Sequence, residues 1–273
     1  MGLSPSQKGN HVTTLEQLET IFFDLDGCIC FGDHLADNAE QLVKQLRKNG
    51  KNIAFLSNIT SSTASLVAAR LTSLGIPATE SQVMTPFTIL QQHPLLQDQK
   101  PIYLLGNHIM RNALHDAGLH LTDEPAAAEV VLVSRDTNMT YQQLAEACQA
   151  LYRGAQLLAL NLDARVPVAD GVFMPGNGAI VAALTTATGV HADAIGKPSR
   201  FFFDRALERF GAARETTAMV GDNLDSDIAG GRDAGLLTIQ VGLEDFSQLE
   251  SPPVPDYRVA NLFELQEMFA VKV

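Results

Sequence analysis

The chain has 273 residues, enough for one large domain or two of ordinary size, and is 46% hydrophobic and 18% charged. A net charge of −12 leaves no basic stripe to neutralise a phosphate backbone and argues against nucleic-acid binding, and no apolar run approaches the ~20 residues that a membrane span needs. Three cysteines are too few for a disulfide framework and fit a reducing, cytoplasmic compartment, so Cys28, Cys30 and Cys148 read as small packing residues.

Met1–Asn10 is polar, lacks the apolar core of a signal segment, and reads as a flexible lead-in. The apolar run Ile21–Phe23 predicts a buried strand ended by Gly27. Asp24 and Asp26 fall at its carboxyl end, where an open parallel sheet binds its ligands. Residues two apart on a strand share a side, so both carboxylates are expected in one crevice. A helix is expected over 35–49, with Leu35, Leu42, Val43 and Leu46 on one stripe and Gly50 as the stop. Strand Asn52–Leu56 follows, then the polar run Ser57–Ser62 and a helix over 63–74 that ends at Gly75.

From Ser81 the pattern changes, and Pro86, Pro94 and Pro101 punctuate it before a second alternation begins. Strands are expected over 102–105, 119–122, 130–133 and 156–160, and helices over 108–117, 140–152 and 179–188. This predicts a second α/β unit, residues 82–190, inserted between two halves of the first, residues 1–81 and 191–273. The first unit resumes with Pro198 in the opening turn of a helix that runs on through Phe202–Phe210. Strand 217–220 leads to Gly221-Asp222, then a helix over 225–234 stopped by Gly235, and strand 236–241. A Pro-rich surface loop over 251–255, strand 257–260 and helix 262–269 close the chain. The class is α/β with a parallel sheet.

Four polar clusters fall at or beside the carboxyl ends of the predicted core strands: Asp24/Asp26, Ser57/Asn58, Lys197, and Asp222 with Asp225 and Asp227. Each has a plain alternative. Asp-Gly is ordinary turn chemistry, Ser57-Asn58 can cap the next helix, lysines are mostly solvated, and acids gather at helix N-termini. In this order on alternating strands they converge on one site. Several aspartates meeting one lysine leave excess negative charge that calls for a hard divalent cation, and oxygen-only ligands favour Mg²⁺. The chemistry that fits is phosphoryl transfer through an aspartyl-phosphate. Asp24 attacks phosphorus; Asp26 protonates the leaving oxygen and then deprotonates the hydrolytic water. Ser57, the amides near it and Lys197 hold the phosphoryl oxygens.

These residues resemble the haloacid dehalogenase superfamily, in its NagD-like subfamily IIA. Asp24-Leu-Asp26-Gly27 is similar to the first motif of that family, extended by Ile29 and Gly32-Asp33. Ser57-Asn58 is similar to the second motif, Gly196-Lys197-Pro198 to the third, and Gly221-Asp222-Asn223 with Asp227 to the fourth. The resemblance covers nearly the whole chain and implies a Rossmann-like core with an inserted α/β cap of the C2 type. It implies Mg²⁺ on the Asp24 carboxylate, the Asp26 backbone carbonyl and Asp222, with Asp227 in support, while Asp225 matches nothing. Asp136–Tyr141 and Asn161-Leu162-Asp163 look like the family's cap segments, and Pro175–Ala179 like the loop into its return helix. Asp136, Asn161 and Asp163 are therefore the candidate substrate contacts, and Asn58 joins Ser57 and Lys197 as a candidate phosphate ligand. Leu162 stands where relatives place proline, and Cys28 where valine is usual. The implied activity is hydrolysis of a small phosphate monoester, such as a nucleotide or sugar phosphate, under a closing cap, in a chain that pairs as a homodimer. Two competitors remain: a phosphotransferase or mutase using the same intermediate, and a non-catalytic binder of Mg²⁺ or a phospho-ligand. A dehalogenase is disfavoured, since Asp26 supplies an acid that halide departure does not require.

Overall fold

A computed structural model describes residues 14–60, 62–167, 173–242 and 251–270, and the expected lead-in Met1–Asn10 lies outside these described residues. The chain opens with strand β1 (Thr20–Asp24), the hairpin β2 (Cys30–Phe31) and β3 (His34–Leu35), helix α1 (Ala39–Lys48), β4 (Asn52–Leu56), α2 (Ala64–Ser73) and β5 (Val83–Met84). The middle carries α3 (Pro86–Ile89), β6 (Ile102–Leu105), α4 (His108–Asp116), β7 (Val130–Val133), α5 (Tyr141–Tyr152) and β8 (Gln156–Ala159). It continues through the hairpin β9 (Arg165–Pro167) and β10 (Phe173–Pro175), α6 (Asn177–Thr188) and β11 (Ala192–Ala194). The last part is α7 (Arg200–Phe210), β12 (Thr217–Gly221), α8 (Ala229–Asp233), β13 (Leu237–Val241), β14 (Tyr257–Val259) and α9 (Leu262–Ala270). These elements form two compact units. The first runs through Leu56, takes up Val67–Val83 and resumes at Phe203; the second holds Ser57–Leu66 and Met84–Phe202.

The first unit is built on a six-stranded sheet in the order β14-β13-β12-β1-β4-β5. The pairs of β1 with β12 and β4, of β12 with β13, and of β13 with β14 are parallel. All five residues of β1 are buried, as a central strand covered on both faces requires. Phe22 packs its ring 5.7 Å from that of Phe210, and α1 turns Leu42, Val43 and Leu46 inward. Each such side chain removed from water contributes roughly 1.5–3 kcal/mol before the entropy of ordering is subtracted. Strand order reverses at β1, with β4 and β5 on one side and β12 to β14 on the other. The carboxyl ends of β1 and β12 therefore flank the switch point at which such sheets bind ligands.

The second unit has its own parallel four-stranded sheet, β11-β8-β7-β6. Tyr103, Val131, Val133, Leu157 and Ala159 of that sheet form one core with Ala147 and Leu151 of α5 and Val181 and Leu184 of α6. Helix α5 starts from a capping box between Thr140 and Gln143. At the margin of this core the Tyr103 hydroxyl donates to Glu146 Oε2 at 2.7 Å. Burial and that bond push the phenol up, and the same bond pulls the Glu146 carboxyl down.

The departures from the sequence reading are local. The helix expected from residue 35 starts at Ala39, because Leu35 belongs to the hairpin and Asn38 sits at φ 69°, a left-handed value that no helix interior holds. Pro198 precedes its helix instead of opening it: α7 begins at Arg200, and Ser199 Oγ accepts the Phe202 N–H at 3.1 Å. The strand expected over 119–122 is a single bridge between Ile102 and Leu121. The helix expected over 225–234 splits into a π turn, Leu224–Ile228, followed by α8. Hairpins β2–β3 and β9–β10 and the short strands β5 and β11 are additions.

Candidate active site

The acidic end of the first unit is set by main-chain geometry. Asp24 is the last residue of β1 and is buried. The register that pairs Phe23 with Val220 brings it level with the end of β12, where Asp222 follows half-buried. Beyond Asp24 the chain folds into a tight loop in which the N–H groups of Cys28, Ile29 and Cys30 all donate to the Leu25 carbonyl, at 3.3, 3.0 and 2.7 Å. Gly27 in this loop has φ 105°, and a Cβ there would stand 2.5–2.8 Å from the carboxylate atoms of Asp222. Only glycine combines that backbone with that approach.

Asp227 arrives from the π turn. Asn223 Oδ1 accepts the N–H groups of Asp225 and Ser226 at 2.9 and 3.0 Å, opening the turn. The Asp227 carboxylate folds back to accept the Asn223 N–H at 3.2 Å. It lies against Gly221, where a Cβ would collide with it. Asp24, Asp222 and Asp227 thus each present a carboxylate oxygen within 4.8 Å of the others. Three like charges so close, two of them buried, repel strongly unless a cation or a proton intervenes. Hard oxygen donors with no sulfur or nitrogen suit a cation of the Mg²⁺ type, and glycine at position 27 keeps the Asp222 carboxylate uncovered on that side.

Asp26 has a different setting. The strand ends at Asp24, so the alternation argument does not extend to Asp26, which sits in the turn with its side chain 45% exposed. Its carboxylate is not one of the three clustered acids; Oδ1 instead accepts from Arg70 of α2 at 3.4 Å. Burial, opposed by Arg70 and reinforced by Asp26 and Asp24, pushes the Cys30 thiol up to about 11. Cys30 is therefore a neutral packing group, as Cys28 is by its burial.

The other candidate residues belong to the second unit and are knit by amides. Ser57 is buried just past β4; its N–H donates to the Met84 carbonyl at 3.0 Å and its Oγ accepts the Ile59 N–H at 3.1 Å. Asn58 spends every polar atom of its side chain. Oδ1 accepts the Lys197 N–H at 2.8 Å, and Nδ2 donates to the Lys197 carbonyl at 2.9 Å and to both Asp163 oxygens at 3.1 and 3.2 Å. Asn161 Nδ2 donates to the Asn58 carbonyl at 2.8 Å, and Asn177 Nδ2 to the Asn161 carbonyl at 2.9 Å. The Lys197 side chain is buried. Asp136 stands outside this network, in an Asx turn in which Oδ1 accepts the Asn138 N–H at 2.8 Å. Arg70 and Asn177 were not singled out from the sequence. An arginine on a polar helix face and an asparagine in a helix's first turn carry no local mark of long-range pairing.

Comparisons with known proteins agree with this geometry. A family described as haloacid dehalogenase-like hydrolase matches residues 21–120, and a second, HAD-hydrolase-like, matches residues 194–265. The chain is 36% identical to the 5'-nucleotidase YutF of Bacillus subtilis, over 80% of this chain and 84% of that one. It is 30% identical to an acid sugar phosphatase of Staphylococcus epidermidis, over 88% and 93%. Among solved structures it is similar to a double mutant of the thermostable NPPase of Geobacillus stearothermophilus (35% identity, TM-score 0.78, covering 90% of this chain and 97% of that one). It is also similar to the 4-nitrophenylphosphatase of Thermotoga maritima (29%, TM-score 0.80, 93% and 98%) and to NagD of E. coli K-12 (26%, TM-score 0.75, 88% and 95%).

Proposed function

The chain belongs to the haloacid dehalogenase-like hydrolases, in the NagD-like subfamily IIA, and is a phosphoric monoester hydrolase; we propose that it works through an aspartyl-phosphate on Asp24, with Mg²⁺ held by the acids around it. The convergence of Asp24, Asp222 and Asp227 carries this reading. Those carboxylates, with the Asp26 carbonyl, would hold the ion. When bound, it supplies charge neutralisation between nucleophile and phosphate and polarises a phosphoryl oxygen.

Asp24 attacks phosphorus and forms the acyl-phosphate bond as the bond to the leaving oxygen breaks. That oxygen keeps the electron pair and takes a proton from Asp26. Asp26, now a carboxylate, takes a proton from water as that water attacks phosphorus; inorganic phosphate departs and the Asp24 carboxylate returns. Ser57 and Lys197 bind the phosphoryl oxygens. Asn58 acts on the Lys197 peptide, because its own donors and acceptor are already used. Residues 82–190 serve as the cap over a catalytic core of 1–81 and 191–273. The relatives named for nucleotides, sugar phosphates and nitrophenyl phosphate support a small phosphate monoester of the nucleotide or sugar class as substrate. Three cysteines without a disulfide support a cytoplasmic setting. Among the described residues no helix is long and apolar enough to cross a membrane.

The test is release of 4-nitrophenolate from 4-nitrophenyl phosphate with and without Mg²⁺, followed by a panel of nucleoside monophosphates and sugar phosphates. Metal-dependent turnover that stops when Mg²⁺ is chelated is expected. Equal rates in EDTA would overturn the metal assignment, and transfer of phosphate to added sugars in preference to water would identify a phosphotransferase.

A further inference from the structure

Asp26 and Asp24 are two residues apart, yet only Asp24 faces the acidic cluster. The Asp26 carboxylate is aimed by something else, and the structure shows one group holding it. Arg70, on α2, reaches back 44 residues to Asp26 Oδ1 at 3.4 Å through one terminal nitrogen, and the other terminal nitrogen donates to the Gly32 carbonyl. The two contacts fall on opposite ends of a short segment. Asp26 opens the loop after β1, and Gly32, at φ 57°, lies in the turn of the hairpin β2–β3 that returns from it. A planar guanidinium fork with both ends anchored fixes direction in a way that a single exposed ion pair does not. Only Oδ1 of Asp26 is taken, and Oδ2 has no hydrogen-bond partner among the described residues.

We propose that Arg70 is a positioning residue for Asp26: it pins Oδ1 and the hairpin turn together so that Oδ2 is the oxygen that exchanges the proton with the leaving group and the water. This rests on the assignment of Asp26 as acid and base made above. An unpinned Asp26 turns through χ1 and χ2 in the solvent-facing loop and spends less time aligned with the leaving oxygen. Loss of alignment slows proton transfer without altering how phosphate is bound.

The distinguishing measurement is dependence on the leaving group. An alkyl alcohol leaves poorly without a proton, whereas 4-nitrophenolate leaves readily. Steady-state kinetics are compared for Arg70→Gln, Arg70→Lys, Asp26→Asn and the unaltered full chain, each with Mg²⁺, on 4-nitrophenyl phosphate and on an alkyl phosphate such as glycerol phosphate. Thermal unfolding confirms that each variant is folded. Arg70→Gln is expected to lower kcat/KM, which reports formation of the aspartyl-phosphate, on the order of tenfold for the alkyl ester and much less for the nitrophenyl ester; hydrolysis of the intermediate is common to both. Asp26→Asn should show the same skew more strongly, and Arg70→Lys should recover part of it. If Arg70→Gln lowers kcat/KM for both esters equally, or for neither, while Asp26→Asn keeps its skew, Arg70 is only an ion pair of the fold and the inference is wrong. If Asp26→Asn itself shows no skew in kcat/KM, the acid–base assignment fails and takes this inference with it. Should Arg70→Gln prove unfolded, Arg70→Lys carries the test, because it keeps the charge but not the fork: an unskewed Arg70→Lys with full activity on both esters overturns the proposal.

Discussion

The two polar regions of this molecule are built on opposite principles. At the ends of β1 and β12, three carboxylates of one sign are brought within 4.8 Å of each other, an arrangement that stores repulsion. Around Asn58, by contrast, the side chains are mostly neutral amides whose donors and acceptors meet backbone groups and each other. The first region could therefore hold a cation. The second is tied together from within, although Asn161 Oδ1 and Asn177 Oδ1 stay buried without a hydrogen-bond partner among the described residues, and it works as scaffolding, holding the Lys197 peptide and the 161–163 loop in one register.

Substitutions that invert either principle separate the two. The largest effect is expected from Asp24→Asn. Turnover should fall by about three orders of magnitude or more, since the nucleophile is removed, while the fold holds or gains slightly because one of three repelling charges is gone. Measurable wild-type rate in that variant, assayed with 4-nitrophenyl phosphate, would remove the covalent mechanism. Chelation of Mg²⁺ should also lower the thermal midpoint of the unaltered chain, by an amount set by how far the free ion exceeds its dissociation constant. In Asp24→Asn that dependence should shrink.

Gly27→Ala comes next. The added methyl would meet the Asp222 carboxylate at 2.5–2.8 Å on a backbone at φ 105°, so the loop or the acid must move. A cost of about 1–3 kcal/mol in stability and a clear rise in the Mg²⁺ concentration needed for half-maximal activity are expected, read by unfolding and by metal titration. An alanine variant with unchanged metal dependence would mean that Asp222 does not hold the ion.

Asn58→Ala probes the other region. It removes the bonds that Asn58 makes to the Lys197 N–H and carbonyl and to Asp163. Each such bond lost costs roughly 0.5–1.5 kcal/mol. Because Asn58 acts on Lys197, KM for phosphate esters should rise along with the loss of stability. A large loss of stability with unaltered KM would show that the network is scaffolding that does not bear on Lys197.

How much of this was legible beforehand follows from the range over which each residue acts. Asp24, Gly27 and Asp222 are marked locally by an apolar run, a carboxylate and a glycine, so strand, turn and acid could be read together. The sheet followed from the alternation of strands and helices. Two things escaped. Leu35 fits the stripe of α1 by spacing, and only the tertiary bonds of Asn38 to Leu262 and Gln266, at 3.2 and 2.7 Å, reveal why the chain turns at Asn38 and starts its helix later. Asn58 reads as a phosphate ligand through the likeness of Ser57-Asn58 to the family's second motif, and nothing local marks the bonds its side chain makes to Lys197 and Asp163. The partners that consume it lie more than a hundred positions away, beyond any local pattern.

The smallest expected effect concerns His93, far from the chemistry in sequence and buried in the second unit. Its Nδ1 accepts the Leu95 N–H at 3.3 Å, and its ring stands edge-on to Phe201 with centroids 4.9 Å apart. Burial lowers its pKa below the ordinary 6.5, and the charge of Asp193 opposes that only in part. A proton on Nδ1 would also displace the Leu95 bond. Between the folded and unfolded values the unfolded chain therefore binds more protons, so stability is full above about 6.5 and declines as the pH falls below it. The decline should be visible as a lower thermal midpoint at pH 5 than at pH 7.5. His93→Asn keeps an acceptor for Leu95 and loses the titrating ring. It should lower the midpoint at both pH values by forfeiting the Phe201 contact, yet flatten the difference between them. If the acid-side decline persists unchanged in that variant, carboxylates elsewhere in the fold are responsible for it.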